Sequence, residues 1–388
     1  MTAETPPQQG RTAARRGRPS QPTILDVAAL AGVSKSAVSK VFNNRPGISE
    51  ATRVRILDAA GKLGWSPSAS ATALRGERTR TIGLVLGRDA DLLTADPYFA
   101  ELIAGMEQEL GPPGYGLQLH LVGDDFVREE EVYERLARER RVDAFVLTES
   151  RIGDSRPALL RRLHVPGLLV GRPWQREHAE GLHYLHTDED LHGITEAVEH
   201  LIGLGHRSLA YVAGPDNRVH TVLRRRAVED TLARHGLRAH SVIPCGFGNA
   251  TAAAVTERLF APGAEPPTAV LYPNDTMALT AIATLTRLGL RVPEDVSVVG
   301  YDDLALGVWL HPRLTTVSQN VQDIGRVAAL RLLAVLGEDV PDPGRPPAPH
   351  LVVRESTGPV TGPATGPVTG PATRAPGTPA QGSLRDNP

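Results

Sequence analysis

One cysteine, Cys245, is the whole thiol complement of 388 residues. A single thiol excludes an intrachain disulfide and a thiolate metal site built from this chain alone, and it suits a reducing compartment. No apolar run approaches the roughly 18 residues of a membrane span. The N-terminal stretch MTAETPPQQGRTAARRGRPSQP is basic but has no apolar segment behind it, so neither a membrane protein nor a secreted one is expected. The expected location is the cytoplasm. Lysine stops at Lys62, which removes any phosphate-loop lysine from the rest of the chain, and neither G-x-S-x-G nor H-E-x-x-H occurs. No catalytic residues, and no cofactor, are expected. His178, His183, His186 and His192 crowd one stretch, yet their spacing matches no closed zinc pattern and no cysteine is near; a surface loop is the reading, with no metal.

Hydrophobic residues make up 41% and charged residues 22%, close to the averages of soluble globular proteins. The length allows two or three domains. The net charge of −2 hides an asymmetry: through Arg80 there are 13 basic and 5 acidic residues, a balance of +8, which leaves −10 for the remainder. A basic head on an acidic body suggests a polyanionic partner, although a solvated tail plus surface charge explains the balance equally well.

Residues 1–22 are polar, arginine-rich and aperiodic, the pattern of a disordered basic arm. Ile24, Val27, Ala28 and Ala31 then follow helical spacing, and Gly32 breaks it. Ser34 is suited to cap a second helix with Ala37, Val38 and Val41 inward. Lys35, Ser36, Ser39, Lys40 and Asn43 project outward from it. Ser49 can cap a third helix, with Val54, Leu57 and Gly61 on one side and Ile56, Ala60 and Leu63 nearby. Residues 23–66 thus form an all-α three-helix domain, and 67–80 form a hinge rich in small residues.

From residue 81 to 355, short apolar runs (TIGLVLG, LQLHLVG, AFVLT, GLLVG, SLAYVAG, TAVLY, VSVVGYD) alternate with amphipathic helices. The helices are expected at Tyr98 to Leu110, Glu129 to Arg140, Leu159 to Leu163, Gly193 to Leu204, Arg225 to His235 and Thr276 to Leu288. Such alternation implies parallel sheets covered on both faces, and so many elements suit two doubly wound lobes better than one sheet. Residues 356–388 contain TGPV and TGPA tetrads from Thr357 to Ala372. Those repeats cannot bury a core and lack the glycine period of collagen, so a disordered Thr-Gly-Pro tail is expected.

The first two helices, joined by AGVS, have the small crossing residues, turn glycine and polar second helix of a helix-turn-helix. TILDVAALAGVSKSAVSKVFNNRPGISEATRVRILDAAGKLGWSPSASATALRGERTRTIGLVL resembles the N-terminus of the LacI/GalR family of bacterial transcription regulators. The resemblance continues through GHRSLAYVAGP, NDTMAL, VPEDVSVVGYDD, LTTVSQNVQDIGRVA and LVVREST. It implies a second helix lying in the major groove, with base-edge or phosphate roles for Lys35, Ser36 and Lys40. It also implies a hinge helix whose Leu74 is a wedge in the minor groove, or else packs between domains. The larger domain resembles periplasmic sugar-binding proteins, whose lobes close over a small molecule beyond the carboxyl ends of the strands. Family-matched positions there are Tyr98, Phe99, Thr148, Arg172, Arg224, Asn274 and Asp302. Aromatic faces can stack on a sugar while Arg, Asn and Asp bond its hydroxyls, yet capping the next helix, or core packing for Tyr98 and Phe99, would explain the same residues. The expected whole is a homodimeric, ligand-responsive regulator of a pseudo-palindromic operator, repressing carbohydrate uptake or utilisation genes. A solute-binding protein and an enzyme acting on a sugar or nucleoside share the large fold and stand as alternatives.

Overall fold

The computed structural model describes residues 22–42, 45–66, 78–88, 96–175, 177, 180–186 and 190–360. The expected arm through residue 21, the segment 67–77 with Leu74, Asn43, His178 and the repeats beyond residue 360 lie outside the described residues. Two compact units divide at Thr79 and Arg80.

In the first unit α1 spans Ile24–Ala31, α2 Lys35–Phe42 and α3 Glu50–Leu63. Gly32 ends α1 in the left-handed conformation at φ 63°, where a Cβ would be costly, and its N–H and that of Val33 bond back to Ala29 and Ala28. Ser34 caps α2, its Oγ accepting from the Ala37 N–H at 3.2 Å. The core is Val27, Ala28 and Ala31 of α1, Val38 and Val41 of α2, and Ile56, Ala59 and Ala60 of α3. Val54 and Leu57, on the other side of α3, are 57% and 48% exposed. Three short helices bury only one stripe of α3, and the Ile56/Ala59/Ala60 stripe occupies it.

The second unit has two lobes. The first holds β1 (Thr81–Leu86), α4 (Tyr98–Leu110), β2 (Gly116–Leu121), α5 (Phe126–Arg138), β3 (Ala144–Leu147), α6 (Arg156–Leu163), β4 (Gly167–Val170) and β5 (His183–Leu185), in the all-parallel order β2-β1-β3-β4-β5. The second holds α7 (His192–Gly203), β6 (Leu209–Ala213), α8 (Val219–Arg234), β7 (Ser241–Pro244), α9 (Asn249–Leu259), β8 (Ala269–Leu271), α10 (Asp275–Arg287), β9 (Ser297–Val299) and the short α11 (Leu306–Trp309), with parallel order β7-β6-β8-β9. Strands β3, β4, β6 and β8 are buried along their whole length, which is why they appear as continuous apolar runs.

An antiparallel pair, β10 (Thr316–Ser318) and β11 (His350–Val352), joins the second lobe, while α12 (Val321–Val335) returns to the first. The chain therefore crosses between lobes three times. Helix α12 lies against α4 so closely that a Cβ on Gly105 would enter the Gln322 carbonyl, and one on Gly325 the Leu102 carbonyl. The fold also runs past residue 355: Ser356 is fully buried, accepts from the Thr315 N–H at 2.8 Å and donates to the Val298 carbonyl at 2.6 Å. Its hydroxyl satisfies backbone groups at the sheet margin, so the expected tail boundary at 356 falls inside packed structure.

Candidate functional site

On α2, Lys35, Ser36 and Lys40 are exposed and Ser39 is half-buried, opposite the buried Val38 and Val41. A cationic, hydroxyl-bearing face is thus presented on a helix of two turns. Ser36 lies 2.8 Å from the Ser34 hydroxyl, so it is partly engaged in shaping the helix start.

In the second unit the carboxyl ends of the strands face one another across a cleft, and a cavity of about 170 Å³ lies there. Of the seven expected residues, Tyr98, Phe99, Arg172, Arg224, Asn274 and Asp302 line it. Thr148 does not: it is buried outside the cavity, and its carbonyl accepts from Arg156 at 3.0 Å. The next two residues, Glu149 and Ser150, reach the cavity instead, because the strand ends at Leu147 and the chain turns through Glu149 at φ 51°.

Asn274 has two jobs. Its Oδ1 caps α10, accepting from the Met277 N–H at 2.9 Å, and its buried Nδ2 has no partner. The neighbouring Asp302 sits at φ 110°, a conformation that L-residues rarely adopt, and its carboxylate accepts from Gln319 at 2.5 Å. Strain of this kind persists only where the surroundings over-determine it. Burial, then the nearby Asp96, push the Asp302 carboxyl well above the ordinary range, against the pull of Arg224. Arg224 stacks 3.5 Å from the centroid of Tyr301 and donates to Gln319 at 3.1 Å. Asp302, Gln319 and Arg224 therefore form one hydrogen-bonded row. Phe99 is fully buried and belongs to the first lobe's core while also touching the cavity; Tyr98 meets it edge to face at 5.2 Å.

Sequence reasoning missed a second charged row. Arg88 donates to Glu149 at 2.5 Å and 3.0 Å and to Asp96 at 3.2 Å, and its guanidinium lies between the rings of Phe99 and Phe247. Burial pushes the Glu149 carboxyl up, but Arg88, helped by Arg218, outweighs it and brings the group down to about 2. His220 is also brought down, to about 3, by burial and then the surrounding arginines, and for a histidine this means that it stays neutral near pH 7. His186 also lines the cavity, stacked on Tyr184 at 5.8 Å and 3.6 Å from Asp190. The three described histidines do not share one loop as expected: His183 is exposed on β5, His186 faces the cleft and His192 is exposed at the start of α7. Among the described residues no group of three or more His, Cys, Asp or Glu side chains could hold a metal ion.

The lobes touch beside the cavity. The Val219 N–H donates to the Ser150 carbonyl at 2.9 Å and the Ile152 N–H to the Asn217 carbonyl at 3.0 Å, an antiparallel bridge between loops of different lobes. Arg218 reinforces it, reaching Asp124 at 3.5 Å and Glu149 at 3.9 Å.

Comparison with known proteins shows what this arrangement belongs to. Residues 23–68 match the model of bacterial regulatory proteins of the lacI family, and residues 198–357 match a periplasmic binding protein-like domain. The transcriptional regulator CelR of Thermobifida fusca is 33% identical over 345 residues, covering 87% of this chain and 99% of CelR. The chain belongs to the LacI family. The repressor PurR of Aliivibrio fischeri (strain MJ11) is 32% identical over 315 residues, 80% of this chain and 90% of PurR. Among solved structures, the CelR–cellobiose complex aligns with a TM-score of 0.61 at 32% identity, covering 86% of this chain and 99% of that one. The Lac repressor dimer bound to operator and the anti-inducer ONPF gives 0.74 at 27% identity, covering 87% and 100%. This LacI-family chain is a helix-turn-helix transcriptional regulator with a periplasmic-binding-protein-like domain, and none of its described helices is long and apolar enough to cross a membrane.

Proposed function

We propose that this regulator is a repressor of carbohydrate uptake or utilisation genes that binds a pseudo-palindromic operator as a homodimer in the cytoplasm, has no catalytic role, and responds to a sugar held in the cleft. The observation that carries the ligand class is the pairing inside the cavity. Each acid of the Arg88 row is matched to Arg88, and Asp302 to Gln319, so directional hydrogen bonds remain for the ligand, beginning with the unpaired Nδ2 of Asn274. Aromatic surface from Tyr98, Phe99 and Phe247 lies beside them. Polar edges around apolar faces suit a polyhydroxylated ring. The solved structure of a CelR–cellobiose complex supports the reading. The dimer is supported by the Lac repressor dimer and by apolar surface on α11, where Trp309 is 83% exposed beside Leu306 and Leu310.

Under this reading Lys35, Ser36, Ser39, Lys40 and Asn43 meet DNA from α2 and the residue following it, and Leu74 from the hinge. A gel shift on the DNA upstream of the regulator's own gene, repeated with sugars and nucleobases, tests it. Asp302→Ala should weaken the ligand response by about 10- to 150-fold, since losing a buried hydrogen-bonding carboxyl costs about 1.5 to 3 kcal/mol, and should leave operator binding intact. An unchanged ligand titration in that variant would remove Asp302 from the site.

A further inference from the structure

The cavity does not end at Arg172. A second hollow of about 310 Å³ adjoins it, sharing Arg172, Val219 and Leu223 and continuing past Trp174 and Gln175 to Arg226. The two compartments differ in charge. Among the described residues, four acids, Asp96, Glu149, Asp190 and Asp302, line the inner one together with Arg88, Arg172 and Arg224, and no acid lines the outer one, which has the guanidinium groups of Arg172 and Arg226. Neither of these arginines has a carboxylate partner among the described residues. Arg226 is held instead by Trp174, its Cζ 5.6 Å from the ring centroid. Stacking on an aromatic face fixes a guanidinium while leaving its charge uncompensated and its N–H edges available in plane. Between the two arginines lie a half-buried indole and the apolar side chains of Pro173 and Leu223, a surface for the face of a ring.

We infer that the outer hollow is a second ligand subsite, and that the effector is a two-unit molecule: a neutral hydroxylated ring inside, and outside a unit bearing a carboxylate or phosphate held by Arg172 and Arg226 against Trp174. This rests on the sugar reading of the inner cavity. Planar guanidinium forks match both oxyanions, and a charge-assisted pair is about twice as strong as a neutral hydrogen bond. In the inner compartment Arg88 is taken up by Glu149 and Asp96 and Arg224 is stacked on Tyr301 near Asp302, so the uncompensated guanidinium charge lies at the outer end.

The test is calorimetric titration of the full-length protein with cellobiose, with the same disaccharide carrying a uronate as one terminal unit, and with cellobiose 6′-phosphate. At least one anionic form should bind about tenfold more tightly than cellobiose, equivalent to about 1.4 kcal/mol. That preference should shrink with added salt and collapse toward unity in Arg226→Gln, and the two anions together tell carboxylate from phosphate. Ligand-induced change in tryptophan fluorescence should be lost in Trp174→Phe, which leaves Trp65 and Trp309 in place. Cellobiose binding as tightly as both anions, or an anion preference unaltered in Arg226→Gln, would overturn the outer site while leaving the inner one standing. Failure of all three to bind would overturn the sugar reading and the inference together.

Discussion

Replacing Val219 with proline removes one hydrogen bond from the contact between the lobes and little else. Val219 is the first residue of α8, where proline's fixed φ is tolerated and its missing N–H has no helical acceptor to lose. The preceding residue, Arg218, already has φ −97° and ψ 130°, inside the region that a following proline demands. What disappears is the 2.9 Å bond from the Val219 N–H to the Ser150 carbonyl. A single backbone bond contributes about 0.5 to 1.5 kcal/mol net, so the closed arrangement should weaken by about 1 kcal/mol relative to an open one. If ligand binds the closed form, its apparent affinity falls with the closed population, by up to about fivefold at 1 kcal/mol.

Val219 also lines the cavity, so the control is Val219→Ala, which trims the side chain and keeps the N–H. Titration of both variants with the same sugar, paired with small-angle scattering of each without ligand, separates contact from closure. Val219→Pro should bind more weakly than Val219→Ala and scatter as a more open particle. Identical affinities and superimposable scattering curves would refute the argument that this bridge holds the lobes together.

Three further outcomes are expected. Glu149 is held at about 2 in the folded protein, below an ordinary value of 4.5, so its contribution of about 3 kcal/mol is fully present above pH 4.5 and lost as pH falls toward 2; Glu149→Gln should lower thermal stability at pH 7 and flatten that acid limb, and melting curves of the two proteins from pH 2 to 7 check it. Gly325→Ala forces a Cβ into the Leu102 carbonyl and should destabilise the effector unit by about 1 to 3 kcal/mol or more, measured by denaturant unfolding. Operator affinity should fall by about 10³ to 10⁵ between 50 and 200 mM salt if six to ten phosphates are met; on Lys40→Ala the salt slope should drop by about one with all sequences weakened alike, whereas Lys35→Ala should relax preference at one operator position.

Where the sequence was easy to interpret, a single physical signal acted alone. The α4 helix runs from Tyr98 to Leu110 as expected, because an amphipathic stripe is bounded there by Pro97 and Gly111. Continuous apolar runs marked β1, β3, β4 and β6 because both their faces are covered. Short β5, with His183 and Tyr184 on an edge strand, and β7, ending in Pro244, lack that signal. Helix α8 begins six residues before the expected Arg225 because its first turns, Val219 to Arg224, bury Val219, Thr221 and Val222 against a loop contact rather than along a regular stripe. The return of α12 to the first lobe is a tertiary fact: Gly105 and Gly325 meet across 220 residues of sequence, and local periodicity cannot report which lobe a helix will join.

The cleft divides along the same line. Asn274 and Asp302 were accessible because each follows a strand, the place where open α/β folds gather ligands, whereas Arg224, expected ahead of a helix, lies in the second turn of α8 and was reached through the family resemblance. Thr148 obeyed that rule and still missed, since the rule fixes a strand end to within a residue or two and the positive φ of Glu149 turns the chain there. Arg88 follows β1, yet its role depends on Glu149 from β3, Asp96 from the approach to α4 and Phe247 from the second lobe. No spacing in the chain connects those four. What selects Arg88 is desolvation: a guanidinium placed between two rings in a closed cleft must find carboxylates, and the carboxylates it finds are thereby withdrawn from the ligand. The charge that the pocket shows a ligand is therefore set by pairing among protein charges, a property that exists only once the two lobes are folded against each other.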